Sequence, residues 1–277
     1  MQKKSLLLIC LTMIVVAIPT FNEQLHIARA VKNAYSISRK VFVFDSGSTD
    51  QTIDLARGAG AEVVIVNDNQ TFADKLNFIY NFDQFQGLYI FRLDADEVVS
   101  PNSAQTIKQA ILKPVASCYT LSRAQCFLRR RLYWGRTVLP SLRLAKAGSI
   151  AYENVPLDER IIPLSSDFKI IHLKATVLDS SLIDIAHWFD KHNKYSTLES
   201  RSVLAESNNQ YLLRNKFSSK VYYCMPILLR PFLVFFFRYI LCFGFLDGLH
   251  GLMYHTCHSL IYRLMVDVKI LSKNHGK

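Results

Sequence analysis

The first hundred residues alternate between two rhythms of apolar and polar positions. Short apolar runs, Thr12–Ile18, Lys40–Phe44, Ala61–Val66 and Leu88–Leu93, have the length and the branched or aromatic content of buried strands. Between them, Leu25, Ala28, Val31 and Ala34 recur at helical spacing and predict a helix over Glu23–Tyr35, followed by helices at Gln51–Arg57 and Ala73–Phe82. Asn22 is placed to cap the first of these helices. Thr49 or Asp50 is placed to cap the second, which stops at Gly58 and Gly60. Strand and helix in alternation predict an α/β domain with a mainly parallel sheet and right-handed crossovers. Pro101 opens a further helix over Asn102–Leu112. Beyond Pro114 the pattern turns to short strands around Ser117–Ser122, Leu139–Leu144 and Phe168–Leu173, and a polar helix over roughly Ser181–Glu206 leads out of the domain.

The two ends need separate treatment. Lys3 and Lys4 before the apolar stretch Leu6–Val16 imitate a secretory signal, yet cleavage near Ala17 would remove the first strand, and the strand reading is preferred. At the other end Val221–Phe245 is apolar enough in length to cross a bilayer, but Pro226, Arg230, Pro231 and Arg238 interrupt it. Two central arginines cost about 5–7 kcal/mol on an insertion scale, and the Leu, Ile, Val and Phe residues return roughly 4–8, so spanning is not compelled. In the following segment Leu249, Leu252, Met253, Leu260, Ile261, Leu264, Met265 and Val268 fall on one helical face, with His250, His255, His258, Arg263 and Asp267 elsewhere. That amphipathic pattern suits a helix lying in a membrane interface, or one packing its apolar face on protein.

Composition narrows the class of partner. The chain of 277 residues is half hydrophobic, with 33 Lys and Arg against 22 Asp and Glu, a formal charge of +11. Such a balance favours nucleotides or an anionic membrane surface, and the absence of a basic-aromatic recognition motif argues against nucleic acid. The six cysteines are scattered without paired spacing, as expected of reduced thiols in a cytoplasmic protein.

The chemistry concentrates where the fourth apolar run ends, in Asp94-Ala-Asp96-Glu97. Open sheets place ligands beyond the carboxyl ends of their strands. Hard oxygen ligands there suit Mg²⁺ or Mn²⁺, ions that favour a partner bringing phosphates. Asp94 and Asp96 share a face if the segment stays extended.

Pro19-Thr-Phe-Asn-Glu23, Asp45-Ser-Gly-Ser-Thr-Asp50 and Leu93-Asp-Ala-Asp-Glu97 stand in the order and spacing of family 2 glycosyltransferases of the GT-A fold, which this sequence resembles over roughly residues 12–200. Phe72–Asn77, Trp188–Ser196 and the Gly244-Phe-Leu-Asp-Gly248 motif are similar to segments of the bacterial lipopolysaccharide-core, capsule and exopolysaccharide subgroup. The resemblance implies that Pro19, Thr20, Asn22 and Glu23 line a nucleotide pocket and that Asp45 holds the base. Asp94 would reach the ribose or the metal shell, and Asp96 the Mg²⁺ or Mn²⁺ on the diphosphate. It places the base that deprotonates the acceptor at Asp158 or Glu159, with Glu159 preferred, although many relatives carry His-Glu where this chain has Leu-Asp-Glu-Arg. His172 matches a histidine that reaches metal or diphosphate. Arg143 would contact phosphate or be an ordinary surface arginine.

The implied organisation is a GT-A domain over 12–178, a helical linker over 179–215 and membrane-associated or packing helices over 216–277. The implied activity is inverting transfer from a nucleotide-sugar donor to a saccharide or lipid-linked acceptor, on the cytoplasmic face of a bacterial inner membrane. The alternatives are a polyprenyl-phosphate sugar transferase, and a non-catalytic membrane scaffold of a polysaccharide assembly complex.

Overall fold

The computed structural model describes residues 13–66, 71–155, 158–165, 168–205, 222 and 224–274, without the side chains of residues 155, 158, 159, 205 and 274. Its main sheet runs β3 (Glu62–Ile65), β2 (Val41–Asp45), β1 (Ile14–Thr20), β4 (Tyr89–Arg92), β8 (Val138–Lys146), β6 (Cys118–Phe127), β11 (Ile170–Asp179), β5 (Glu97–Val99), with β7 (Arg130–Arg131) paired to β6. The four strands legible as apolar runs are parallel to one another; β8 is antiparallel to both β4 and β6, so the sheet is mixed. A two-stranded sheet pairs β9 (Ile150–Val155) with β10 (Asp158–Pro163).

The first strand shows why the apolar runs fold as they do. Ile14, Val16 and Ile18 point into one core cluster, while Val15 and Ala17 point into the other. Both faces are covered, so a continuous apolar run, rather than an alternating one, is what burial requires. The helices Ile27–Ala34, Thr52–Gly58, Phe72–Tyr80 and Pro101–Leu112 form the crossovers. Thr71 caps the third, accepting from the Asp74 N–H while the Asp74 carboxylate accepts from the Thr71 N–H.

Asn22 does not cap the first helix, contrary to the sequence expectation. The helix begins four residues later than predicted, at Ile27, and Asn22 sits in the left-handed region at φ 54°. Asparagine suits either position, and tertiary contacts decide between them. Four short strands also went unread: β5, β7, β9 and β10 start at or contain charged residues, and of these Glu97 in β5 is wholly buried.

By its internal contacts the chain divides into two units. One comprises residues 1–131, 138–155 and 159–182; the other comprises 132–137, 156–158 and 183–277. In the second, the helix Ile185–Ala205 lies in the stretch read as a linker. Its Glu199 accepts from the Tyr262 hydroxyl at 2.5 Å and from Arg263 at 2.7 Å on the helix Tyr262–Asn274. Arg230 is buried and forms a bidentate pair with the buried Asp267, so its charge is compensated inside protein.

Val221–Phe245 is not one helix. The helix Arg230–Phe236 passes into a π turn over Phe237–Leu241, and the chain then bends at Phe243, φ 59°, into the turn Gly244–Asp247. Among the described residues no single helix is long and apolar enough to cross a membrane; one bent pair, Arg230–Leu241 with Gly244–Lys273 at 71°, passes by length and composition. The following helical stretch turns a mixed polar and aromatic face inward. Tyr254, His255, Ser259, Tyr262, Val266 and Asp267 are buried, while Leu249, Leu252 and Val268 stand exposed.

His255 gives this unit a pH response. Its Nδ1 faces the Ser259 hydroxyl at 3.3 Å, and Arg238, Asp247, Tyr239 and Tyr254 surround it. Burial, then the Arg238 charge, push it down to about 4, against the opposing pull of Asp247. The folded state therefore holds it neutral, the unfolded chain takes a proton below about 6.5, and stability is lost as pH falls through that window. The melting temperature is expected to drop by roughly 3–6 °C between about pH 7 and 4.5, and by less in His255→Gln, followed by circular dichroism.

Candidate functional site

The sheet order places β2 and β3 on one side of β1 and β4 on the other, so the chain reverses direction between β1 and β4. Beyond the carboxyl ends of strands at such a reversal lies a crevice that helices do not cover. Thr20 ends β1, Asp45 ends β2, and Asp94 follows β4 by two residues, all at the same edge. The structure thus brings Pro19–Glu23, Asp45 and Asp94–Asp96 to one edge of the sheet.

Two loops at this edge are latched to each other. The Asn22 N–H donates to Ser48 Oγ at 2.8 Å, and Asn22 Oδ1 accepts from the Thr49 N–H at 2.9 Å. Glu23 N–H donates to Thr52 Oγ1 at 2.7 Å, and Asp50 accepts from both the Gln24 and the Thr52 N–H groups. Asp45 is fully buried beneath the second loop. It accepts from the Ser48 N–H at 2.7 Å, the Ser48 hydroxyl at 2.6 Å and the Thr20 hydroxyl at 2.9 Å. Its carboxylate fixes the loop, in which Gly47 takes φ 77°. Lys75 reaches in from the third helix and donates to the Thr20 carbonyl at 3.1 Å; burial lowers its pKa, and Asp45 opposes the shift.

Glu23 is oriented by a residue the sequence reading passed over. The His26 Nε2 accepts from the Leu182 N–H at 2.8 Å, which puts the ring proton on Nδ1, where it donates to Glu23 at 2.6 Å. Arg29, one turn further, donates to the Ser180 carbonyl at 2.7 Å and the Asp96 carbonyl at 3.2 Å. The exit of β11 is thereby tied to the turn that carries the carboxylates.

Those carboxylates rest on buried arginines. Arg92 holds Asp94 through Nε at 2.9 Å and Nη2 at 3.1 Å, and Arg143 adds a contact at 3.1 Å. Burial by itself would raise the Asp94 pKa, but Arg143 and then Arg92 hold it well below the usual carboxylate range. Glu97 is completely buried; it accepts from Arg143 and from Arg123 Nε at 3.1 Å, and from the Asp94 N–H at 3.1 Å. Burial pushes Glu97 upward, with Arg143 opposing and Asp94 reinforcing. Arg143 is therefore no surface arginine. Arg123 completes the network with Asp179 at 2.5 Å.

A divalent cation fits this site in one particular way. Mg²⁺ and Mn²⁺ at phosphate-transfer sites take one or two carboxylates and complete their shell with substrate phosphates and water. Asp94 is engaged by two guanidiniums, and Asp96, half-buried on the turn two residues on, is a second carboxylate of the kind that suits the ion. Among the described residues no cluster of three His, Cys, Asp or Glu side chains forms an all-protein metal cage.

His172 does not join them, and its assignment as a metal ligand is corrected. It bonds Thr120 near the start of β11, seven residues before Asp179, which is registered against Glu97. At the rise of an extended strand that separates it from the carboxylates by about 20 Å. Asp158 and Glu159 open β10, and their side chains lie outside the described residues. The partner strand β9 is tied to the Lys75 helix by Asn77, which bonds the Tyr152 N–H and carbonyl at 2.7 and 2.9 Å.

The family model described as glycosyl transferase family 2 matches residues 15–166. Solved structures of glucosyl-3-phosphoglycerate synthase from Mycobacterium tuberculosis are similar to part of the chain. One, in complex with Mn²⁺, UDP and glucosyl-3-phosphoglycerate, shares 20% identity over 42% of this chain and 47% of that one, with a TM-score of 0.37. Another, with Mn²⁺, UDP-glucose and phosphoglyceric acid, shares 20% over 42% and 46%, again at 0.37. The chain thus spans just under half the length of those proteins.

Proposed function

This chain belongs to glycosyl transferase family 2, with the GT-A fold, and on that premise we propose that it transfers a sugar from a nucleoside-diphosphate donor to a saccharide or lipid-linked acceptor of the bacterial cell surface. The observation that carries the reading is the meeting of three loops at the β1–β4 reversal: Pro19–Glu23, the loop over Asp45, and Asp94–Asp96. The first two would take the nucleoside, with Asp45 setting the loop that holds the base. Asp94, fixed by Arg92 and Arg143, would face the ribose. Asp96 would hold Mg²⁺ or Mn²⁺, which when bound neutralises charge developing on the departing diphosphate. A carboxylate, Glu159 in preference to Asp158, would take the acceptor hydroxyl proton as the new bond forms, giving inversion in one displacement.

The acceptor side points to a membrane. Large apolar side chains stand exposed along Ile227–Leu252, and residues 183–277 hold twelve Lys and Arg against six Asp and Glu. Both features favour peripheral or monotopic attachment to an anionic surface, at the cytoplasmic face where nucleotide sugars are found.

Donor hydrolysis tests the core of this reading. Purified protein is given UDP-, GDP- and dTDP-sugars with and without Mn²⁺. Release of one nucleoside diphosphate, stimulated by the metal, is expected. Release indifferent to metal would remove the role of Asp96, and neither release nor nucleotide binding would leave the scaffold alternative.

A further inference from the structure

The helical tail holds one loop of the sheet region's sequence in a fitted socket. Residues Leu132–Thr137 connect β7 to β8, yet they belong to the second unit. The Asp247 carboxylate accepts from the Tyr133 N–H at 3.1 Å and the Trp134 N–H at 2.9 Å, and the Gly135 N–H donates to the Cys242 carbonyl at 2.9 Å. A Cβ on Gly135, φ 72°, would stand 2.1 Å from the His255 ring, and one on Gly244 2.6 Å from it; one on Gly251 would meet the Gly244 carbonyl at 2.2 Å. The Gly244-Phe-Leu-Asp-Gly248 turn is therefore shaped around this loop, and only glycine fits at the approach.

What the socket presents is apolar and amphipathic together. Tyr133 is 63% exposed and Trp134 45%, and Trp134 stands edge-on to Phe243 with ring centroids 6.2 Å apart. Phe243 in turn meets Phe245 at 6.1 Å, and Leu246 and Leu249 beside them are exposed. Arg136 lies over the Phe237 ring at 5.9 Å. Rigid backbone, aromatic rings with polar tips, exposed Phe and Leu, and an excess of cationic side chains are the features of a surface seated at the boundary of an anionic bilayer.

We propose that Leu132–Thr137 is a membrane-docking loop, and that Asp247 positions it so that Tyr133 and Trp134 enter the bilayer interface together with Phe243, Phe245 and Leu246. The proposal rests on the membrane reading above and adds what makes the contact.

Trp134 and Trp188 are the two tryptophans, so Trp188→Phe makes Trp134 the sole reporter. This full-length variant is mixed with phosphatidylcholine–phosphatidylglycerol vesicles carrying brominated acyl chains, and sedimentation measures partition in parallel. Trp134 emission is expected to shift to the blue and to be quenched by the brominated lipid. Adding Asp247→Asn, which turns one acceptor oxygen into a donor facing an N–H, should abolish most of the quenching while vesicle binding persists. Tyr133→Ser with Trp134→Ser should weaken binding by roughly tenfold. Amide exchange at Tyr133 and Trp134, in the native sequence against Asp247→Asn, checks the positioning without the Trp188 substitution and should speed up in the variant. Vesicle binding with Trp134 unquenched, or quenching unchanged by Asp247→Asn, overturns the proposal and leaves the membrane reading standing. A shift of Trp134 with soluble oligosaccharide but not with lipid overturns it in favour of an acceptor site. No partition onto any vesicle overturns both.

Discussion

Replacing Arg143 by methionine is expected to cost the first unit about 3 kcal/mol of stability, the lower end of what breaking a buried ion pair costs. The argument runs from burial to charge. Arg143 is 2% exposed, and its Nη2 serves two carboxylates, Glu97 and Asp94, of which Glu97 is wholly inaccessible to water. Methionine keeps much of the volume but leaves those groups to their remaining partners: Arg123 for Glu97 and Arg92 for Asp94. That residual pairing, and the loss of two Arg143 N–H donors that have no hydrogen-bond partner among the described residues, keep the cost from the top of the range. A fall in the urea midpoint at unchanged slope, followed by far-ultraviolet circular dichroism, would register it. Adding Glu97→Gln should recover part of the loss, because the buried group then carries no charge to strand. A loss under about 1 kcal/mol would show that Arg143 and Glu97 are not an ion pair in the folded protein.

The network explains what the sequence disclosed and what it withheld. Strands β1, β2 and β4 were legible because burial on both faces writes itself as an unbroken apolar run. Arg92 and Asp94 were legible in principle: a charge inside such a run, two residues from a carboxylate, shares its face in an extended chain. Arg143 was not, since its partner Glu97 lies 46 residues away and no local pattern pairs them. The same distance problem hid Asp247, whose partners are 113 and 114 residues back. His172 failed for the opposite reason. Its order in the chain fitted, but the register of β11 against β5 carries it to the far end of the strand. In the C-terminal helices the apolar periodicity left two occupants open for its face, lipid or protein: Arg230–Asp267 and His255 occupy the interior, and Leu249 and Leu252 stand exposed.

Asp96→Asn should lower turnover by about a hundredfold or more while leaving the fold intact, and the contrast with its neighbour makes the prediction sharp. Asp96 lies on the turn after β4, half-buried; its backbone carbonyl accepts from the Ser180 N–H at 3.0 Å and from Arg29, and its charge acts on Arg29 and Arg123. Asparagine keeps that carbonyl and the side-chain size, and removes only the charge. Melting temperature should fall less than in Asp94→Asn, while the metal concentration needed for half-maximal donor cleavage rises and the maximal rate falls. Asp94→Asn should behave in the reverse order. Its carboxylate balances Arg92 and Arg143, both buried, so the variant removes a counter-charge from both guanidiniums, with Glu97 still beside Arg143, and loses stability before chemistry is considered. Metal binding followed by Mn²⁺ paramagnetic resonance, beside melting curves for both variants, separates the two roles. Near-normal turnover in Asp96→Asn at the same Mn²⁺ concentration would show that the cation, if the reaction uses one, is held elsewhere.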